Sequence, residues 1–136
     1  MPTEKGYRYR LLVVVILFAM LPTAGCASAS DEIDVDMSDN GGQVDLNVGQ
    51  ILVVSLESNP TTGYRWEVAE IDDEILRQEG EAEYEAESDL VGAGGVETFR
   101  FKALAAGEGE LKLVYRRSWE EGVEPIEVFS IEVDVK

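Results

Sequence analysis

From Ile33 to the C-terminus, apolar side chains recur at every second position in short runs, with turn residues between them. Ile33, Val35 and Met37 alternate with acids, and Val44, Leu46 and Val48 alternate with Gln43, Asp45 and Asn47. Tyr64, Trp66 and Val68 share one face, as do Ala82, Tyr84 and Ala86, then Phe99, Phe101 and Ala103, then Leu111, Leu113 and Tyr115. A period of two places successive side chains on opposite faces of a strand, whereas a helix needs a period near 3.6. No stretch sustains a helical period for more than about two turns. The only helical piece expected is one turn within the polar stretch 72–78.

These runs predict about seven or eight strands in roughly 100 residues, the size and rhythm of an all-β, immunoglobulin-like β-sandwich. The Gly49-Gln50 step joins two runs in the manner of a hairpin. In the last run the alternation changes phase between Val128 and Phe129, which predicts a bulge or a strand that switches sheets. Trp66, in phase with Tyr64 and Val68, is expected in the core.

The first 25 residues do not belong to this pattern. Lys5, Arg8 and Arg10 precede the apolar run Leu11 to Leu21, followed by Pro22-Thr23-Ala24-Gly25-Cys26. The apolar run is well short of the ~20 residues that span a bilayer, so it reads as an export signal. Ala24-Gly25-Cys26 resembles the lipobox of bacterial and archaeal lipoproteins, with Thr23 where such signals usually have leucine. Cys26 is therefore the expected lipid-attachment residue, and cleavage after Ala27 or Ala29 to free a secreted protein is the alternative. The organisation expected is a signal peptide over 1–25, then lipid-bearing Cys26, a tether and a candidate first strand over 26–42, and one domain over 43–136. That places the protein at the cell surface or in the periplasm, touching the membrane only through its lipid.

Charge and composition exclude several functions. The chain carries a net charge of −17 at pH 7, which argues against nucleic acid or an anionic membrane surface as partner. It has no histidine, and its one cysteine lies at the end of the export segment. Neither a Ser-His-Asp nor a Cys-His constellation can be assembled, and an enzyme is not expected. Asp34, Asp36, Asp39 and Asn40 form an acidic edge, but Ser38 and Asp39 stand where an EF-hand needs a ligand and its glycine. No metal or other cofactor is expected.

Three loop segments stand out against this background: Asn59-Pro60-Thr61-Thr62-Gly63-Tyr64, Gly92-Ala93-Gly94-Gly95, and Arg117-Ser118-Trp119. Pro60 fixes its own φ and pushes Asn59 towards extended backbone, and Gly63 can take the positive φ that a sharp exit requires. Thr61 and Thr62 are stiff at χ1, so little side-chain entropy is left to lose on binding. Glycines permit close backbone approach, and Trp and Arg are the residue types most enriched at interface hot spots.

In this order and spacing the three segments resemble the chagasin family of cysteine protease inhibitors. Its members show an Asn-Pro-Thr-Thr-Gly-Tyr/Phe loop, a Gly-x-Gly-Gly loop and an Arg-Pro-Trp/Phe loop. Here the first matches throughout, the second fits through Gly92, Gly94 and Gly95, and the third has Ser118 where the family usually has proline. The resemblance implies a monomeric, reversible, tight-binding inhibitor of papain-like cysteine proteases, with the loops clustered at one end of the sandwich as a wedge. By that resemblance Asn59, Pro60, Thr61, Thr62, Gly63 and Tyr64 enter the cleft, with the threonines at the tip. Gly92, Gly94 and Gly95 lie along one side, and Arg117 and Trp119 touch the other. The competing reading is a cell-surface immunoglobulin-like adhesion or ligand-binding domain whose loops hold something other than a protease.

Overall fold

A computed structural model describes residues 31–136; the export segment and Cys26 lie outside the described residues. Among the described residues nine strands form two sheets: β1 (Glu32–Val35), β2 (Gln43–Leu46), β3 (Ile51–Ser58), β4 (Arg65–Glu70), β5 (Leu76–Gln78), β6 (Glu83–Ala86), β7 (Gly95–Ala103), β8 (Gly107–Arg116) and β9 (Glu127–Val135). One sheet runs β1-β3-β7-β5, with β6 also paired to β7, and the other runs β2-β9-β8-β4. The alternating residues close the space between them. Leu52, Val54 and Leu56 of β3 and Phe99 and Phe101 of β7 face Leu111 and Leu113 of β8 and Phe129, Ile131 and Val133 of β9, all buried. Trp66 is buried at 4% exposure, as its phase predicts.

The hairpin expected across Gly49-Gln50 does not form. β2 pairs in parallel with β9 in one sheet, whereas β3 pairs with β1 and β7 in the other. Gly49 takes a φ of +93°, and the buried Gln50 accepts the Asn47 amide on its side-chain oxygen at 2.7 Å. Both backbones then bond to Ala103, so the step carries the chain from one sheet to the other. Period two was satisfied equally well by either arrangement, because Val44 and Leu46 face the shared core in both.

Two further expectations are corrected. β9 pairs with β8 in unbroken register from Glu127↔Tyr115 to Val135↔Gly107, so the phase change at Val128 marks no bulge. Val128 is an apolar residue on the outward face, cross-strand from Val114; the register shift lies instead between Val68 and Glu70 of β4. The stretch 72–78 makes a turn, with the Asp72 carbonyl accepting the Ile75 and Leu76 amides, and then becomes β5. Burial of Ile75 and Leu76 draws that segment onto the sheet, which accounts for the ninth strand.

The acidic edge near the N-terminus is satisfied locally. Asp36 and Asp39 form a reciprocal capping box around the 3-10 turn Met37–Asp39, and Asn40 accepts the Ser130 amide at 2.8 Å. Hydrogen bonds from the Ser38 hydroxyl and amide hold the Asp36 carboxyl below its ordinary range.

The topology fixes the two poles of the sandwich. The end of β3, the starts of β4 and β7, the end of β8 and the start of β9 lie at one pole, as the pairings Ser58↔Gly95, Arg65↔Arg116 and Tyr115↔Glu127 require. β1 runs parallel to β3 with Glu32 opposite Ile51, so the chain enters the domain at the other pole.

A three-loop edge as candidate functional site

The β3–β4, β6–β7 and β8–β9 connections all leave the sandwich at one pole and carry the three segments singled out in the sequence. In the first, Pro60–Thr62 forms a 3-10 turn. Asn59 caps it: its side-chain oxygen accepts from the Thr61 amide at 3.2 Å and from the Thr61 hydroxyl. The Thr62 hydroxyl donates to the Asn59 carbonyl at 2.6 Å, and Gly63 ends the turn at φ +83°. Thr61 and Thr62 stand exposed at the tip. The amides of Thr61, Thr62, Gly63 and Tyr64 and both threonine hydroxyls are engaged within the turn itself, which leaves a preorganised, small-sided projection.

The base of this loop rests on aromatic side chains. Tyr115 accepts the Asn59 amide on its hydroxyl at 2.9 Å, and its ring stacks on Trp66 with centroids 5.1 Å apart. The Trp66 indole donates to the Glu57 carbonyl at 2.9 Å. Tyr64 packs half-buried against Tyr115 at 5.5 Å, so it anchors the loop from below rather than forming its tip.

Both flanks are tied to this centre. The Asn59 side-chain amide donates to the Gly92 carbonyl at 3.1 Å. On the other side Arg117 donates from Nε to the Thr62 carbonyl at 3.0 Å, lies 4.4 Å above the Tyr64 ring and pairs with Glu120 at 3.0 Å. The Trp119 ring, 67% exposed, lies directly over Gly63, where an added Cβ would come within 2.3 Å of its edge. Arg117 and the Trp119–Gly63 contact thus brace the third loop where Ser118 replaces the proline.

The three glycines separate by role. Gly92 takes a φ of +80° in open space and serves the turn. A Cβ added at Gly94 would meet Ser58 and Asn59 only at ordinary distances, and Gly94 lines a hollow of about 300 Å³ beside the first loop, together with Glu57, Glu87 and Glu127. Gly95 is buried at the start of β7, where a Cβ would collide with the Glu85 carbonyl at 2.1 Å, so its smallness serves the β6–β7 pairing.

The turn itself is shaped by the Leu90 amide donating to the Ser88 hydroxyl and the Ala93 amide donating to the Leu90 carbonyl. Its apex presents Leu90 and Val91, 78% and 105% exposed, which the sequence reading passed over. Their signal was an apolar pair between Asp89 and the glycines, outside any strand alternation.

The site therefore unites all the loop residues expected except Gly95, which lies beneath it. No cluster of metal-ligand type occurs among the described residues. What the arrangement offers is a rigid, protruding edge about three loops wide, apolar at both flanks and small at its centre.

The family model for the chagasin family of peptidase inhibitors matches residues 45–133. Chagasin of Trypanosoma cruzi is 34% identical over 89 residues, covering 62% of this chain and 81% of chagasin. Among solved structures, the cysteine protease inhibitor EhICP2 of Entamoeba histolytica aligns with a TM-score of 0.68 at 22% identity, covering 77% of this chain and 95% of that one. PbICP-C, solved in complex with falcipain-2, aligns with a TM-score of 0.55 at 17% identity over 77% of this chain and 89% of that one. With the matched span reaching from β2 through β9 and across all three loops, the chain belongs to the chagasin family of peptidase inhibitors.

Proposed function

We propose that this protein is a reversible, tight-binding inhibitor of papain-like cysteine proteases, which it blocks by occlusion without chemistry of its own. The observation that carries the reading is the cross-bracing of the three loop segments into one edge, Arg117 to Thr62 on one side and Asn59 to Gly92 on the other. A wedge held in its binding shape before contact loses little entropy on entering a cleft. The exposed threonines are small enough to approach a catalytic thiol and imidazole closely. The compact turn they occupy offers no extended peptide bond to the nucleophile, so the wedge blocks without being cut. Exposed Trp119 packs on one wall, and the backbone of the glycine loop pairs with the other as an extended peptide does.

The same proposal includes export and a lipid on Cys26. A tether joining β1 at the pole opposite the loops leaves the wedge facing away from the membrane, free to meet a protease. The deciding experiment is titration of papain with the purified protein at micromolar concentration. Progressive, reversible loss of activity with a stoichiometric end point is expected. Full papain activity in the presence of correctly folded protein would overturn the reading in favour of an adhesion or ligand-binding domain.

A further inference from the structure

The wedge loop leaves β3 in one sheet and enters β4 in the other, so no strand ladder joins its two ends. Between them sits a carboxylate that the wedge contacts described above leave aside. Glu97 of β7 is 1% exposed and points into the sandwich in phase with Phe99 and Phe101. One of its oxygens accepts from the Ser58 hydroxyl at 2.7 Å, and the same oxygen lies 3.6 Å from the Arg65 guanidinium. The other accepts from the Trp66 amide at 3.3 Å. Ser58 is the last residue before the loop, and Arg65 and Trp66 are the first of the strand after it.

A buried carboxylate is costly unless donors satisfy it, and replacing it with an apolar residue of similar volume is often neutral or favourable for stability alone. Here all its donors belong to the two feet of one loop. We infer that Glu97 is a positioning residue for inhibition: it clamps the two ends of the wedge loop across the sheets and sets the spacing and angle at which Thr61 and Thr62 are presented. Two acceptor oxygens are needed for this, because the Ser58 hydroxyl and the Trp66 amide approach different ones. A glutamine in the same place keeps one acceptor and turns an amide group towards a donor.

This inference rests on the inhibitory reading for its affinity arm, and on loop order for an arm independent of it. The test uses protein expressed from the full sequence and purified as the host processes it. Glu97→Gln and Ser58→Ala are compared with Val133→Ala, a core truncation in β9 away from the loops. For each, the papain inhibition constant, the melting temperature and the exchange rate of the Asn59 amide are measured; the Tyr115 acceptor of that amide is untouched by all three changes.

Glu97→Gln is expected to weaken inhibition at least tenfold and to speed Asn59 exchange. Ser58→Ala is expected to do the same to a smaller extent. Val133→Ala should lower the melting temperature and move neither of the other readouts. The inference is overturned if Glu97→Gln leaves both at wild-type values, or if Val133→Ala weakens inhibition as much for the same thermal loss. Should Glu97→Gln fail to fold, Ser58→Ala decides alone by the same criteria. Should the wild-type protein leave papain active, the functional reading falls while Asn59 exchange still decides the role of Glu97.

Discussion

Gly63→Ala tests the geometry of the wedge most directly, because two separate features of the structure forbid a side chain there. Gly63 has a φ of +83°, and left-handed backbone costs a residue bearing a Cβ ~1–2 kcal/mol. The new methyl would also lie 2.3 Å from the edge of the Trp119 ring, whereas carbon atoms in contact settle at ~3.5–4.0 Å. The ring must therefore retreat by more than an ångström and leave its seat.

The backbone term alone predicts a fall in Tm of roughly 4–16 °C for a domain of about this size. For affinity, a tryptophan hot spot displaced from its position loses ~2 kcal/mol, or about thirtyfold in the inhibition constant. Both quantities are read from one preparation, by thermal denaturation and by papain titration. The decisive comparison is a double-mutant cycle with Trp119→Ala. Alone, each substitution is expected to weaken inhibition by about the same factor. Together they should do little worse than Trp119→Ala, since the ring that Gly63 seats is already gone. Additive losses, or a Gly63→Ala protein that inhibits like the wild type, would show that Gly63 does not act by seating Trp119.

Three other outcomes are expected, the last from the sequence alone. Replacing both Leu90 and Val91 by serine should leave stability within ~0.5 kcal/mol, because both are exposed, yet weaken papain inhibition; an unchanged inhibition constant would place the apex of the glycine loop outside the interface. Trp66→Ala removes the stacking partner of Tyr115 and is expected to cost about 3–5 kcal/mol in urea denaturation, a figure refuted by a wild-type midpoint. Mass spectrometry of the membrane fraction should find the N-terminal peptide beginning at a lipid-modified Cys26, and Cys26→Ser should release the protein into the soluble fraction; an unmodified cysteine refutes the anchor.

Most of the sandwich was legible because burial has a local signature. The phase of Leu111, Leu113 and Tyr115, or of Phe99, Phe101 and Ala103, identifies the buried face without knowledge of the partner strand. Partner choice has no such signature. Whether Val44 and Leu46 pair with β3 or with β9 makes no difference to their alternation, and the answer depends on bonds from the Gly49-Gln50 step to Ala103, more than fifty residues away. Val128 misled for a related reason: an apolar side chain on a solvated face is common, so phase alone could not tell it from a bulge.

The site divides along the same line. The 3-10 turn could be read from Asn59, Pro60 and Gly63, whose preferences act within a few residues. The Arg117–Thr62 and Glu97–Ser58 bonds could not, since their partners lie 55 and 39 residues apart in sequence. Glu97 did leave a trace, as an acid in phase with two core phenylalanines. That conflict signals a satisfied buried charge but names none of its partners.

These long-range bonds also explain how the third loop can dispense with proline. A proline stiffens a loop by locking φ at one residue, which acts chiefly by narrowing the unfolded ensemble. Arg117 instead fixes the loop by a hydrogen bond to the Thr62 carbonyl, an ion pair with Glu120 and a stacked position over Tyr64, all outside the backbone of Ser118. The rigidity of this flank is thereby made conditional on the first loop: Thr62 must present its carbonyl and Gly63 its bare face before Arg117 and Trp119 have anything to rest on. A loop stiffened by its own proline would keep its shape when the central turn is disturbed, whereas this one would lose it. The centre and the Arg117–Trp119 flank of the wedge are therefore one cooperative unit, and damage to either should be felt at both.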